Sequence, residues 1–439
     1  MSAAAPTSSP SFASSSSAAA HASTAAMGSI EALTPSAGSD IVEFILLGTG
    51  TSSTLPHVDC LTAPPGVKRC RTCWSTLRPE GKKNIRVRRN TSAVARVRGN
   101  NGELVTIVID VGKSFQQAAV EWFPKYGLRR IDAVLITHAH ADAMNGLDDL
   151  RGWTLNGAIQ PHIDVYVTDE TFKEVRRAFP YLIAKEFASG GGDVPEFVWH
   201  IIDVNRPIKI GDTGVEIDAF KVHHGRVFSV PPPVESLDGV HTPTCISVSP
   251  ASTQPSTPGQ PGTPVRSGAL TPSKEAAEPV KQPTKEITPY FCLGFTIQKA
   301  VTYISDVSHI PEDVWAHFED SFRAAYPHGR PPALVLDCLR LQPHTSHLSM
   351  SQAVEYARRF GAVKTYLTGF SHEVSHDEYQ TMLEYVGGRM PPQSELTETV
   401  KRGLETLEEG REIWVRPAFD GLKIFVSPDG RKVWDTEYA

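Results

Sequence analysis

Histidine and aspartate side chains follow one apolar segment at alternating positions. The segment Ile131–Ile136 ends in Thr137, and His138, His140 and Asp142 come directly after it. Two imidazoles and a carboxylate in this arrangement, placed at the end of a buried strand, can converge on one cation. Neutral imidazole suits zinc and other first-row metals, and a carboxylate also suits harder cations. The pattern therefore predicts a metal site.

Short aliphatic segments that end in polar residues predict the strands that would position such a site. They are Ile41–Leu47, Val105–Ile109, Ile131–Ile136, Val301–Ser305, Leu334–Leu336 and Val363–Leu367. Helical patterns lie between them. Ser349 and Gln352 have the spacing of a capping box, and Ser375 and Glu378 repeat it. Asp420-Gly421 lies between two apolar stretches and predicts a hairpin turn.

These residues resemble the His-x-His-x-Asp-His motif of the metallo-β-lactamase superfamily, over about residues 41–424 outside a Pro-rich stretch. The resemblance implies an α/β (α+β) fold, a four-layer αββα sandwich. It implies that Asp110 orients the ligand loop and that Asp306 is a bridging carboxylate. It also implies that His224 is the third imidazole ligand, with His223 as the alternative. The stretches LLGTGTSSTLP, ITHAHADA, YISD and LTGFSH most resemble the phosphoribosyl cyclic phosphodiesterase branch.

The same resemblance suggests a use for three cysteines that follow the first predicted strand. Cys60, Cys70 and Cys73 lie within fourteen residues, and three thiolates need a fourth ligand in a tetrahedral zinc site. In the resembling branch that ligand is a histidine at the position of His372. A structural zinc on these four residues is therefore implied, and reduced thiols are the alternative. Either indicates an intracellular, cytoplasmic or nuclear protein.

Two positions depart from the motif of the resembling family. The histidine expected after Asp142 is Ala143, and the last histidine expected in LTGFSH is Gly369. Both normally belong to the second of two metal sites, which keeps only Asp142 and the shared aspartate. The first site keeps all of its ligands, which are His138, His140, His224 and Asp306. The sequence thus predicts one metal held well and a second held poorly.

Three interpretations of this altered site stay open. In the first, one zinc ion carries a hydroxide that attacks phosphorus, and Asp142 acts as its base. In the second, Mn²⁺ or Mg²⁺ binds weakly to Asp142, Asp306 and nearby oxygen donors, for which Asp148 and Asp149 are candidates. In the third, catalysis is lost and the fold binds or scaffolds a partner. An ester or thioester hydrolase is a further alternative, because the fold serves many chemistries.

His347 is the candidate for assisting the leaving group. It lies just before a capped helix and after the strand that ends at Asp337. In the resembling phosphodiesterases a histidine of the corresponding loop has this role, since a departing alkoxide needs a proton. The expected substrate is a small phosphodiester or cyclic phosphate. The basic run from Lys82 to Arg89 makes nucleic acid an alternative partner.

Composition separates a folded region from two low-complexity segments. The 439 residues carry a net charge of −6, which excludes a globally basic nucleic-acid binder. No apolar run reaches the ~18 residues that cross a membrane. Residues 1–38 are rich in Ser and Ala and are predicted to be a disordered tail, with mitochondrial import as an alternative. Residues 229–289 are predicted to be a disordered Pro/Ser/Thr-rich insert within a domain spanning 39–439.

Overall fold

The computed structural model describes residues 40–78, 87–190, 193–227, 288–326 and 329–438. The predicted tail lies outside these residues, as does nearly all of the predicted insert. Pro289, the last residue of the predicted insert, begins a strand. The chain divides into two compact units, Met1–Gly225 with Pro289–Ala439 and Arg226–Thr288. Nearly all of the described structure belongs to the first unit.

Two mixed sheets, of eight and seven strands, make up the centre of the described structure. In chain order the strands are β1 (Val42–Gly48), β2 (Ser92–Arg98), β3 (Leu104–Ile109), β4 (Ala133–Leu135), β5 (Ile163–Val167), β6 (Phe197–Ile201), β7 (Ile208–Ile210), β8 (Val215–Arg226), β9 (Pro289–Ile297), β10 (Val301–Ile304), β11 (Ala333–Asp337), β12 (Lys364–Thr368), β13 (Val415–Pro417), β14 (Lys423–Val426) and β15 (Val433–Asp435). The first sheet has the order β15-β14-β1-β2-β3-β4-β5-β6, and the second β13-β12-β11-β10-β9-β8-β7. Strands β3 to β6 run parallel, and so do β10 to β13.

Helices cover the outer faces of both sheets. The α-helices are α1 (Val58–Leu61), α2 (Arg71–Ser75), α3 (Phe115–Tyr126), α4 (Ala141–Met144), α5 (Arg151–Thr154), α6 (Asp169–Ala178), α7 (Glu312–Ala325), α8 (Met350–Phe360), α9 (His376–Val386) and α10 (Glu398–Glu405). Short 3-10 helices span Leu147–Leu150, Leu155–Gly157, Pro180–Leu182, Lys185–Phe187 and Gln393–Glu395. Both predicted capping boxes form, with the two reciprocal hydrogen bonds at α8 and at α9. None of the helices in the described ranges is long and apolar enough to span a membrane.

Successive side chains along each strand point to opposite faces of its sheet, so both faces of each sheet pack against other layers of the fold. On one face, side chains such as Phe44, Phe295 and Tyr303 fill the core between the two sheets. The opposite face of the first sheet packs on α3, where Trp122 is 1% exposed. The opposite face of the second sheet packs on α7, α8 and α9, with Trp315 among the buried side chains. The predicted four-layer αββα sandwich is therefore confirmed.

The parallel strands place polar residues at one edge of each sheet. Asp110 follows β3, His138 follows β4 and Asp306 follows β10, while Asp337 ends β11. Each predicted strand is present, with its bounds displaced by no more than two residues. Because the carboxyl ends of neighbouring parallel strands meet at the same edge, residues far apart in sequence are brought together there.

The hairpin predicted at Asp420-Gly421 is wrong. Strand β13 pairs with β12 in one sheet, whereas β14 pairs with β1 in the other. Asp420 is fully buried and accepts hydrogen bonds from the Thr49 hydroxyl at 2.8 Å and the Arg89 N–H at 3.0 Å. These tertiary contacts hold the turn where the chain passes between sheets, and the local sequence signal does not contain them.

Candidate metal centre and active site

Three imidazoles meet at one place in the fold. Those of His138 and His140 follow β4, and that of His224 lies on β8. The ring centroid of His138 lies 4.6 Å from that of His140, and each is 5.1 Å from that of His224. Their ligand nitrogens lie within 4.8 Å of one another, and Asp306 joins His138 in a second such group and His224 in a third. The structure thus brings together the four residues predicted for the first metal site. Among the described residues, none of these groups includes His223.

Hydrogen bonds behind the site determine which nitrogens face it. The N–H and hydroxyl of Thr137 both donate to the Asp110 carboxylate at 2.8 Å. Since that hydroxyl proton goes to Asp110, the Thr137 oxygen accepts from His138 Nδ1, also at 2.8 Å. His224 Nδ1 donates to the Ser346 carbonyl at 2.7 Å. Both rings therefore keep the lone pair on Nε2, the arrangement that metal-binding histidines need.

The donor set fits a cation. His138 Nε2 and Asp306 Oδ2 are buried and have no hydrogen-bond partner. Burial lowers the pKa of His138 well below its usual range, and partial desolvation with the neighbouring His224 lowers the pKa of His140 to about 4. Burial acts to raise the pKa of Asp306, but the imidazoles that face it hold that pKa at about 2. Although His347 Nδ1 lies 3.9 Å from Asp306 Oδ1, the buried Oδ2 accepts no hydrogen bond, and an ionised carboxylate in this situation favours a cation beside it.

Asp142 lies on α4, just after His140, and its carboxylate is buried. Burial and the charge of Asp306 raise its pKa to about 6, against the opposing effects of Lys113 and His347. No group of adjacent potential ligands in the described chain contains Asp142. Its roles as a ligand and as a base stay predictions.

The two acidic residues considered for a harder cation lie elsewhere. Asp148 and Asp149 form part of the 3-10 helix Leu147–Leu150. Asp148 binds Arg151 at 2.6 Å. Within the described ranges neither joins a group that could hold a metal. The structure therefore gives no support for these two residues as ligands of Mn²⁺ or Mg²⁺.

His347 and Asp337 form a buried pair beside the imidazoles. His347 Nδ1 lies 3.1 Å from Asp337 Oδ2 and 3.9 Å from Asp306 Oδ1, and its ring centroid is 4.8 Å from that of His224. Burial alone would lower the pKa of His347, but the two carboxylates raise it to about 9. Asp337 is fully buried and also accepts the Leu348 N–H at 3.1 Å. A strand-end aspartate ten residues before a loop histidine was the signal that could have revealed this pair.

Strand β9 contributes two side chains that the sequence did not single out. The Tyr290 ring lies parallel to His140, with 4.7 Å between centroids and 10° between planes. Cys292 is buried, and its Sγ lies 3.7 Å from His138 Nδ1. Phe291, between them, is 42% exposed, as strand alternation requires. The apolar run from Pro289 has the pattern of an ordinary core strand, so the sequence carries no signal that distinguishes either residue.

Ala143 and Gly369 stand where the resembling family has the histidines of its second metal site, and they differ in the space around them. Ala143 is 2% exposed, and its carbonyl accepts the Val111 N–H at 2.8 Å. Gly369 has a φ of 79°, and a Cβ added there would lie 2.5 Å from Asp337 Oδ1. The backbone at Gly369 therefore has a conformation that only glycine adopts readily, and Asp337 occupies the space of the missing side chain.

Gly369→Ala is expected to lower the free energy of unfolding more than Gly361→Ala does. Gly361 ends α8 with a φ of 74°, and the nearest atom to a Cβ there is 3.5 Å away. Both substitutions strain the backbone by roughly 1 kcal/mol, but only the one at Gly369 also displaces Asp337. Urea unfolding of the two variants measures the difference. Equal destabilisation would contradict the contact with Asp337.

A second group of potential metal ligands, the cysteine cluster, consists of three cysteines and His372, which is distant from them in sequence. The Sγ atoms of Cys60, Cys70 and Cys73 lie 3.1, 3.7 and 3.6 Å from His372 Nδ1. Ligands around a tetrahedral zinc are separated by about 3.6 Å for bonds of about 2.0–2.3 Å. Burial and the adjoining thiols raise the pKa of Cys73 to about 12, although the His57 N–H opposes this. A bound zinc would instead favour the thiolate form of Cys73, because coordinated thiols are deprotonated.

The basic run considered for nucleic acid is engaged within the fold where it is described. Arg88 is 2% exposed, and its guanidinium donates to the carbonyls of Ser371 and Val374. Arg89 binds Glu121 at 2.6 Å. Residues 79–86 lie outside the described part of the chain. Arg88 thus ties this segment to the loop that carries His372, and neither arginine is available for phosphate.

Comparison with known protein families agrees with this geometry. A family model described as a beta-lactamase superfamily domain matches residues 105–248, a segment that holds His138, His140 and His224. Residues 105–248 thus match a beta-lactamase superfamily domain, and the two-sheet sandwich has the metallo-β-lactamase fold. The metallo-β-lactamase fold extends beyond the matched segment, since the first sheet includes strands on either side of it and the second sheet includes strands that follow it.

Known structures and sequences similar to this chain are all distant. A diphosphatase of the PhnP family superposes with a TM-score of 0.50 at 19% identity, over 87% of this chain and 96% of that one. Zinc-bound PqqB from Methylobacterium extorquens gives a TM-score of 0.48 at 15% identity, over 87% and 99%. An octanoyltransferase of Porphyromonas gingivalis is 29% identical over 185 residues, 42% of this chain and 31% of that protein. The chain therefore spans less than a third of that relative, and the structural likeness shows the fold alone.

Proposed function

We propose that this metallo-β-lactamase-fold protein hydrolyses a small phosphodiester or cyclic phosphate with a single catalytic metal. The observation that carries this proposal is the contact between His347 and buried Asp337, 3.1 Å apart beside the imidazole cluster, because carboxylates there raise the pKa of His347 and suit it to donate a proton. A domain that used the pocket only for binding would have no need of a proton donor. The metal site with all four ligands present, together with the proton donor, matches the needs of ester hydrolysis at phosphorus.

Four residues would hold the catalytic zinc: His138, His140, His224 and Asp306. A zinc ion bound there would supply a Lewis acid for the phosphoryl oxygens and lower the pKa of a water molecule. Asp110 and Thr137 keep the His138 lone pair directed at the site. Mn²⁺ or Mg²⁺ is a weaker candidate, since three imidazoles favour zinc.

The remaining residues would move protons. His347 would donate its proton to the departing alkoxide, and the Asp337 carboxylate would hold the ring in place while it does so. Asp142, with a pKa of about 6, would accept a proton on the attacking side. Cys60, Cys70, Cys73 and His372 would hold a second zinc that stabilises the loop after β12. This arrangement resembles the phosphoribosyl cyclic phosphodiesterase branch, from which it departs at Ala143, at Gly369 and in the longer spacing from Cys60 to Cys70.

The proposal is tested by metal content and turnover of the full chain. Protein purified without added metal is expected to carry about two zinc ions, one per ligand set, and to hydrolyse a phosphodiester in a screen that includes cyclic phosphates. His138→Ala should leave about one zinc and abolish turnover. His317→Gln, on an exposed face of α7, serves as the matched control and should change neither.

Two other outcomes would point to the alternatives. One zinc per chain, unaffected by His138→Ala but lost in Cys73→Ser, together with no turnover under added zinc, Mn²⁺ or Mg²⁺, would contradict the proposal. That result would favour a binding or scaffold protein. Turnover of carboxylic esters or thioesters without turnover of phosphodiesters would favour the other hydrolase class.

A further inference from the structure

His140 is the least restrained of the three clustered imidazoles. The rings of His138 and His224 are fixed by hydrogen bonds to Thr137 and to the Ser346 carbonyl. Within the described residues no hydrogen bond holds the His140 ring, and His140 is exposed. It also precedes a helix of only four residues, α4. Something else must keep this ring in the orientation of a ligand.

Tyr290 supplies the missing restraint. Its ring lies flat against that of His140, 10° from parallel with centroids 4.7 Å apart. Its hydroxyl accepts the Ala139 N–H at 3.3 Å, which attaches the tyrosine to the loop between His138 and His140. The ring projects from β9, which lies between β8 and β10 inside the second sheet. Tyr290 is therefore a rigid surface that limits rotation of the His140 ring.

We infer that Tyr290 is a positioning residue for the metal centre, and that it acts through the stacked face of its ring. The inference rests on the proposed function, because it assigns His140 as a zinc ligand. The hydroxyl has a secondary part, since burial raises the pKa of Tyr290 to about 12 and the group stays a neutral hydrogen-bond partner. Residues behind metal ligands typically change metal affinity about 10- to 100-fold when removed.

Zinc affinity of the full-length protein tests the inference without relying on turnover. Tyr290→Phe keeps the stacked ring and should bind zinc at the imidazole site as the unmodified chain does, in competition with a chromogenic chelator. Tyr290→Leu keeps apolar bulk without an aromatic face and should bind about 10-fold more weakly. Phe291→Leu, at the outward-facing neighbour on β9, is the matched control and should have no effect.

Cobalt substitution supplies a second measurement that a general loss of stability would not imitate. In Tyr290→Leu the absorption bands of cobalt at the imidazole site should change, while the thiolate-to-cobalt bands of the cysteine cluster stay as they were. Unchanged affinity and bands in Tyr290→Leu would overturn the inference alone. Equal weakening in Tyr290→Phe would also overturn it, since the hydroxyl would then be responsible. Absence of zinc at the imidazoles of the unmodified chain, judged by His138→Ala, would overturn the proposed function as well.

Discussion

Replacing His347 by asparagine is expected to lower kcat for an alkyl phosphodiester about 10²- to 10⁴-fold, the range for loss of a general acid. The effect on KM should be smaller, because the proton is needed only when the leaving group departs. Asparagine keeps a hydrogen-bond donor for Asp337, so the buried carboxylate is not left unpaired. Steady-state kinetics of the two proteins measures both constants.

The identity of the leaving group provides the control for this prediction. A p-nitrophenyl ester departs as a stable anion and needs little protonation, so His347→Asn should affect its hydrolysis far less. An equal loss for alkyl and aryl substrates would contradict proton donation and indicate that His347 only shapes the pocket. Asp337→Asn gives an independent check through pH. His347 donates only while protonated, and Asp337 raises its pKa, so activity in the variant should fall at a lower pH on the alkaline side.

Cys73→Ser is expected to remove the zinc of the cysteine cluster and to destabilise the protein. Cys73 is fully buried, and its Sγ lies 3.6 Å from His372 Nδ1. A ligand present at roughly 1,000 times its dissociation constant stabilises the folded state by about 4 kcal/mol, and the variant should lose a stabilisation of this size. The loop after β12 carries both His372 and Gly369, so turnover should fall as well.

Metal analysis and denaturant unfolding check this prediction together. Ser75→Ala, on the same short helix α2, is the matched control, because the Ser75 hydroxyl donates to the Thr72 carbonyl and, within the described residues, makes no hydrogen bond to the cluster. It should keep its zinc and nearly all of its stability. Full zinc content in Cys73→Ser, or unchanged stability after zinc loss, would contradict a structural role for this cluster.

The sequence predicted those parts of the molecule that local patterns encode. Aliphatic runs ending in polar residues gave the strands, and the serine-initiated helices α8 and α9 form both capping boxes. The candidate ligands His138, His140 and Asp142 were predicted because histidine and aspartate have few other reasons to occur at such spacings. The resemblance to a known superfamily connected His138 to Asp306, which no local signal could do.

Features that depend on tertiary packing could not be predicted in this way. Tyr290 contacts His140 because β9 packs beside the loop after β4, where the Leu293 N–H donates to the Thr137 carbonyl at 2.9 Å. A tyrosine in an apolar strand has no distinctive local signal. Arg88 belongs to a basic run, but its guanidinium is buried and donates hydrogen bonds to two backbone carbonyls. The turn at Asp420 had the right residues for a hairpin, yet its carboxylate accepts hydrogen bonds from Thr49 and Arg89, which are distant in sequence. In each case a partner distant in sequence decides the outcome.

Gly369 makes the present active site difficult to reverse by single substitutions. A histidine at this position would need a left-handed backbone, and its Cβ would lie against Asp337. Asp337 in turn holds His347, so a chain that regained the histidine would first lose its proton donor. A chain that gained this histidine first would lack both the intact His347–Asp337 pair and a complete second metal site. Selection on activity would oppose such an intermediate. Under the proposed function, the interdependence of Gly369, Asp337 and His347 would thus act as an evolutionary ratchet against a second metal site.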